Sequence, residues 1–194
     1  MLELAILGLL KERSMHGYQL SRELSESLGG FWRVSYGSLY PTLRRLEKEG
    51  AVQQVFDAQS VGRRKNVYRI TDKGEGLFLE LLNEAPHGDQ TEDTRFRVRL
   101  AFFRYLPPET RLRLLERRRA TLEDRLSTIR DSLRATRERV DTYTLALMQH
   151  GRDATEQDIA WLDGLIAAER DSGEHRGGTK RRSTRALRRK ERTA

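Results

Sequence analysis
Cysteine is absent from this chain of 194 residues. That excludes disulfides, thiol nucleophiles, iron–sulfur clusters and zinc–thiolate sites together, and it fits a reducing compartment. Long apolar runs are absent as well. The longest, residues 4–10, falls far below the roughly 20 residues that a bilayer span requires, so no membrane partner is expected. Glu3 stands where a leader would carry basic residues, and no small-residue cleavage site follows. The expected location is therefore cytoplasmic. Histidine is scarce. His16, His87, His150 and His175 are the four, no two stand at i, i+3 or i, i+4, and that spacing predicts no metal site. Neither Gly-x-Ser-x-Gly, a phosphate-binding Gly-Lys-Ser/Thr loop nor a dinucleotide fingerprint occurs. Gly74-Glu75-Gly76 lacks the third glycine. Glu47 and Glu49, two apart on a helix, cannot face each other. No catalytic residue, cofactor or enzyme activity is expected.

Charge is plentiful, and its location matters more than its sum. Lys and Arg number 37 against 29 Asp and Glu, a formal net charge of +8. Residues 1–85 hold 12 basic and 11 acidic groups, residues 86–172 hold 16 of each, and residues 173–194 hold 9 and 2. The last segment, interrupted by Gly177, Gly178, Ser183 and Thr184, reads as a disordered, self-repelling tail. Attraction to DNA phosphates and plain solubilisation are equal readings of it. A case for nucleic acid has to come from local patches.

Apolar spacing organises the rest. Leu2, Leu4, Ile6, Leu7, Leu9 and Leu10 are apolar nearly all round a short helix, which predicts burial on several sides. Residues 14–18 break it. Leu20, Leu24 and Leu28 stripe a second helix, which Gly29-Gly30 ends. Leu39, Leu43 and Leu46 stripe a third, with Gly50 as its C-cap. Residues 52–57 and 66–70 read as two strands, and Thr71-Asp72 caps a fourth helix faced by Leu77, Phe78, Leu81 and Leu82. The second half reads as helix throughout. After Pro107-Pro108 comes Leu112, Leu115, Arg119, Leu122, Leu126, Ile129, Leu133, Thr136, Val140, Tyr143 and Leu147 at 3,4 spacing. This predicts one coiled-coil rod about 60 Å long that needs a partner for its seam. Gly151 is read as its end, and Asp153 with Glu156 as the capping box of a last helix carrying Ile159, Trp161, Leu162, Leu165 and Ile166.

Three helices followed by a hairpin is the order of a winged helix-turn-helix. At 100° per residue, Leu43 and Leu46 fall within about 40° of Leu39, whereas Ser38, Pro41, Arg44, Arg45 and Lys48 fall about 100–180° away. An outward face that is small and polar at first and basic later suits a major-groove helix. An ordinary solvated face is the alternative, supported by Glu47 and Glu49. Gly62-Arg63-Arg64-Lys65-Asn66 adds three consecutive cations at a turn, where a wing meets the backbone or minor groove. If Ser35 caps the third helix, Pro41 falls in the second turn and removes a hydrogen bond; if Ser38 caps it, Pro41 is harmless. Both remain open from sequence.

Several motifs in order resemble the PadR family of bacterial transcriptional regulators over residues 1–83. They are Leu4-Ala5-Ile6-Leu7-Gly8-Leu9-Leu10, His16-Gly17-Tyr18-Gln19-Leu20, the run from Gly37-Ser38-Leu39-Tyr40-Pro41 to Lys48-Glu49-Gly50, Gly62-Arg63-Arg64-Lys65, and Tyr68-Arg69-Ile70-Thr71-Asp72-Lys73-Gly74. Phe102-Phe103, a long helix and Trp161-Leu162-Asp163 resemble the longer members, which carry a domain like that of the virulence-activator branch. The resemblance implies a homodimer on a palindromic DNA operator, more often a repressor than an activator. It implies recognition by the helix of Ser35, Tyr36, Ser38, Tyr40, Pro41, Thr42, Arg44, Arg45 and Lys48, and wing contacts from Arg63, Arg64, Lys65 and Asn66. Tyr18, Tyr36 and Tyr40 match positions at or near the DNA, and the first and the C-terminal helices join the subunits. Many members respond to small aromatic or drug-like effectors. Trp32 and Trp161 can stack on a planar ligand, with core packing the alternative for each.

The expected architecture is mainly α with a short β-hairpin. Residues 1–83 form the winged helix-turn-helix domain, 84–93 a linker, 94–170 a helical dimerisation domain and 171–194 the tail. Leu112, Leu115, Leu122, Leu126, Ile129, Leu133, Val140, Tyr143 and Leu147 are the expected dimer contacts. The rival reading, favoured by the near-neutral charge of residues 1–85, is a coiled-coil adaptor whose winged helix binds protein.

Overall fold
The computed structural model describes residues 1–26, 35–56, 66–84, 92–136 and 139–190, with backbone alone at Phe56, Asn66 and 173–190. Two compact units divide at the junction of Tyr105 and Leu106.

The first unit is built round α1 (Leu2–Glu12), whose residues from Leu4 to Leu10 are all buried. This is the all-round apolar helix that the sequence predicts, a central post with other elements on every side. α2 (Gly17–Glu26) buries Leu20 and Leu24, and α3 (Tyr36–Lys48) buries Leu39, Leu43 and Leu46. β2 (Val52–Phe56) and β3 (Asn66–Ile70) pair antiparallel, Val52 opposite Ile70 and Phe56 opposite Asn66. The segment read as a break contains a two-residue strand, β1 (Met15–His16), which pairs with β3 through Met15–Tyr68 and His16–Val67. The hairpin is thus part of a three-stranded sheet ordered β1-β3-β2.

α4 (Asp72–Asn83) and α5 (Glu92–Ala101) follow, then a single 3-10 turn, Phe103–Tyr105. The sequence assigns residues 94–105 to the second domain, yet they fold with the first unit. Gly8 explains why. A β-carbon at Gly8 would lie 2.4 Å from the Phe102 ring, so the missing side chain lets that ring seat on α1. Phe102 and Tyr105 then meet Phe78 of α4 edge to face, at 5.7 and 5.5 Å between centroids. Residues 85–91 of the expected linker lie outside the described residues.

The second unit is a helical hairpin of α6 (Pro108–Thr136) and α7 (Thr142–Lys190). Arg111–Glu169, Arg119–Asp163 and Arg130–Glu156 are paired, so position rises on one helix as it falls on the other and the two run antiparallel. The expected single rod is therefore corrected. It is interrupted after Thr136, and Asp141 caps the new helix by accepting the backbone N–H groups of Tyr143 and Thr144 at 2.8 and 3.1 Å. Gly151 lies inside α7, and Asp153 caps nothing but pairs with Arg152. Much of the partner that the seam needs is supplied by the chain itself. Leu115, Leu122 and Leu126 of α6 and Leu162 and Ile166 of α7 are buried. Leu112, Ile129, Leu133 and Val140 are half-buried, and Tyr143 and Leu147 are 88% and 71% exposed. The basic segment, expected to lack order, continues the backbone of α7 to Lys190.

Candidate nucleic-acid interface
α3 starts at Ser35, whose Oγ accepts the backbone N–H of Ser38 at 3.2 Å and lies 2.8 Å from Ser38 Oγ. That decides between the two caps left open by the sequence: Pro41 sits inside the helix. Having no N–H, Pro41 leaves the Gly37 carbonyl without its i+4 donor. Both residues are on the exposed side of the helix. At the other end Gly50, with φ 75°, closes the helix. Its N–H reaches Glu47 O at 2.9 Å and that of Ala51 reaches Leu46 O at 2.8 Å, the paired bonds of a Schellman cap.

This end is tied to the next elements. Thr71 donates its hydroxyl to Gly50 O at 2.7 Å and its N–H to Ala51 O at 3.1 Å, while its Oγ1 accepts from Gly74 N and so caps α4. A β-carbon at Gly74 would stand 2.0 Å from Ala51 O. The end of α3, the root of the hairpin and the start of α4 are locked in one joint.

The two faces of α3 separate as the periodicity predicts. Leu39, Leu43 and Leu46 are fully buried, whereas Tyr36, Ser38, Tyr40, Pro41, Arg44, Arg45 and Lys48 are exposed. Thr42 is half-buried, its hydroxyl returned to Ser38 O at 2.8 Å. Tyr36 and Tyr40 stack at 6.3 Å with 17° between ring planes. The Tyr40 hydroxyl lies 3.0 Å from where a β-carbon on Gly17 would stand, so this ring reaches from α3 to the first residue of α2. Tyr18, next along α2, is 65% exposed. Three tyrosines therefore flank the N-terminal half of α3, and three cations its C-terminal half.

Arg45 departs from expectation. Its guanidinium, though more than half exposed, is paired with Glu3 of α1. No spacing rule joins residues 3 and 45; only the packing of α1 against α3 does. Beneath the basic half, Gln54 of β2 donates to Glu47 at 3.2 Å and to the Tyr68 hydroxyl at 3.5 Å. Burial, and then the Glu47 carboxylate, push the Tyr68 phenol above its ordinary pKa. Glu47 is thus held at the root of the hairpin. Arg69, opposite Gln53 and exposed on β3, is a hairpin cation that a reading centred on the turn misses. Arg63, Arg64 and Lys65 lie outside the described residues, as does Trp32, and Asn66 is described only as the first backbone position of β3.

A second feature lies in the first unit. A cavity of 180 Å³ is lined by Met1, Leu4, Leu81, Glu84, Arg95 and Arg99. Arg99 is buried, with Glu84 at 3.6 Å and Glu92 at 3.9 Å. Burial lowers the pKa of its guanidinium, and the two carboxylates act the other way. Among the described residues no group of His, Asp and Glu could hold a metal ion, and no helix is long and apolar enough to cross a membrane.

Residues 6–88 match the family described as Transcriptional regulator PadR-like, and residues 94–169 match the domain described as Virulence activator alpha C-term. A negative transcriptional regulator of Bacillus subtilis, PadR, is 32% identical over 93 residues, 47% of this chain and 51% of that protein. A transcriptional regulator of Mycobacterium tuberculosis is 41% identical over 80 residues, 40% of this chain and 68% of that protein. The chain thus spans about half the length of the Bacillus relative. Among solved structures, Bacillus subtilis PadR in complex with operator DNA aligns with a TM-score of 0.43 and 22% identity, covering 87% of this chain and 98% of that one. The same protein in complex with p-coumaric acid gives 0.39 and 21% over the same shares.

Proposed function
Since the chain belongs to the transcriptional regulator PadR-like family, we propose that it is a homodimeric repressor that binds palindromic double-stranded operator DNA in the cytoplasm. One observation carries this reading. α3 buries three leucines and turns Ser38, Tyr40, Pro41, Arg44 and Lys48 outward from a helix capped at both ends. The small polar first turns approach base edges, and the later cations reach phosphates or guanines. Arg63, Arg64, Lys65 and Asn66 make the wing contacts, and Arg45 joins once released by Glu3.

Two-fold recognition requires two copies of α3 about 34 Å apart, one duplex turn. Apolar groups that the helical hairpin leaves uncovered support pairing through the second unit. Tyr143, Leu147 and Trp161 are exposed on α7, and Leu112, Ile129 and Leu133 of α6 are only half-buried. A small aromatic effector completes the proposal, with the 180 Å³ cavity as its seat. An apolar cavity of about 150 Å³ holds one benzene ring, and Arg95 and Arg99 suit an acidic substituent on such a ring.

The test is a footprint on the DNA upstream of the chain's own gene, with binding titrated against salt. Several phosphate contacts predict an affinity that falls by orders of magnitude between about 50 and 200 mM salt. Arg44→Ala with Lys48→Ala should weaken protection and leave the dimer intact. Salt-insensitive binding, or a footprint unchanged by that pair, would overturn the reading in favour of a protein-binding adaptor.

A further inference from the structure
We infer that the end of α7 is a second, sequence-independent DNA-binding element, a helix whose arginine stripe lies along duplex phosphates. α7 continues as helix to Lys190, about 30 Å beyond residue 169 at 1.5 Å per residue. Both family matches stop at or before residue 169, so this extension is additional to the domains they describe. It also holds nearly all of the excess charge. Residues 173–194 carry 9 Lys and Arg against 2 Asp and Glu, whereas the preceding residues carry 28 against 27.

Helical geometry groups five of those nine cations. At 100° per residue, positions Arg181, Arg182, Arg185, Arg188 and Arg189 share a sector about 120° wide. The opposite side holds Arg176, Lys180 and Lys190 beside Ser183 and Leu187. A single leucine makes no apolar face. A helix that lies in a bilayer surface needs one, so lipid is disfavoured. A stripe of this density repels itself, and a polyanion relieves that repulsion while releasing condensed counterions. Arginine also pairs with phosphate through two parallel N–H bonds. The duplex that α3 is proposed to read supplies such phosphates at high local concentration. The inference adds to that reading without depending on it.

The experiment replaces Arg181, Arg182, Arg185, Arg188 and Arg189 by Gln in the full chain, since Gln keeps helix propensity and removes charge. Binding to a random-sequence duplex is measured from 50 to 200 mM salt, beside a footprint on the operator. Each phosphate contact contributes about 0.9 to the slope of log affinity against log salt, so five contacts contribute about 4.5. A fourfold rise in salt should then cost the native chain about 500-fold more affinity than the variant. Footprint boundaries should stay unchanged, with circular dichroism confirming that the helix persists. An equal slope and equal affinity for random duplex would overturn the inference, as would native chain that binds vesicles of one part phosphatidylserine to two of phosphatidylcholine but not random duplex. Loss of the footprint in Arg44→Ala with Lys48→Ala, with random-duplex binding retained, supports it. If the native chain protects no operator yet its random-duplex binding falls in the Gln variant, the extension stands and the α3 reading fails.

Discussion
Two glycines on one helix should respond with opposite sign to the same substitution. Gly74 and Gly76 both lie in α4, and neither has a positive φ. At Gly74 a β-carbon would meet Ala51 O at 2.0 Å and Ile70 Cγ1 at 2.8 Å; at Gly76 nothing stands within 4 Å. Alanine favours a helix over glycine by about 0.5–1 kcal/mol. Gly76→Ala should therefore raise stability by roughly that amount. Gly74→Ala brings the same gain but forces Ala51 and its carbonyl away. Overpacking of this kind costs about 1–3 kcal/mol. The displaced carbonyl is the acceptor for Thr71 N–H, and Thr71 is also the α4 cap, so about 1 kcal/mol more is lost for each weakened bond. The net expectation for Gly74→Ala is about 2–3 kcal/mol of destabilisation, or about 10–20 °C in the melting of a unit of roughly 100 residues. A thermal melt of both variants, with hydrogen exchange at α4 amides to assign the transition, measures it. Gly74→Ala melting at or above the native temperature, or both variants shifting alike, would refute the close approach. Operator affinity should fall with Gly74→Ala and stay native with Gly76→Ala, because only the first disturbs the joint behind α3.

Glu3→Gln should strengthen operator binding a few-fold by freeing Arg45 for phosphate, measured by gel shift; no change would remove Arg45 from the contact set. Tyr143→Asp with Leu147→Asp places charge on groups the chain's own hairpin leaves exposed, so helix content should persist while sedimentation reports monomers, and an intact dimer would exclude this surface. Leu126→Asp should instead unfold the second unit, since an unpaired charge would be buried between α6 and α7, and native helix content would contradict that packing. Hydrogen bonds from the Thr144 hydroxyl and the Thr144 and Tyr143 amides hold Asp141 below its ordinary pKa of 3.8. Its stabilisation is present above that value and lost as pH falls through the lower folded one, so Asp141→Ala should weaken the start of α7 at neutral pH and converge with the native chain in acid. A constant difference across that window would refute the cap.

Local patterns made much of the first unit readable. Leu39, Leu43 and Leu46 named the core face of α3, and Thr71-Asp72 named the start of α4, because spacing and caps act over a few residues. β1 was not readable, since two residues are too short to alternate and exist as a strand only through pairing with β3. The turn between α6 and α7 was hidden because Thr136, Val140 and Tyr143 continue the apolar register across it. Asp141, an N-cap residue just ahead of Thr142, was the one local signal. Gly151 misled in the other direction: an isolated glycine costs a helix about 1 kcal/mol, which neighbouring contacts outweigh. Glu3 with Arg45, and Gly8 with Phe102, join residues that only the folded chain brings together.

The joint of Gly50, Ala51, Thr71 and Gly74 has a consequence for control. It has no slack: the Thr71 cap, two further hydrogen bonds and a contact without room for a methyl fix α3 to the hairpin root and to α4. α3 and the root of the hairpin must tilt together, as the blade and handle of one tool. An inducer would then act by carrying the whole blade away from its groove, not by bending its edge.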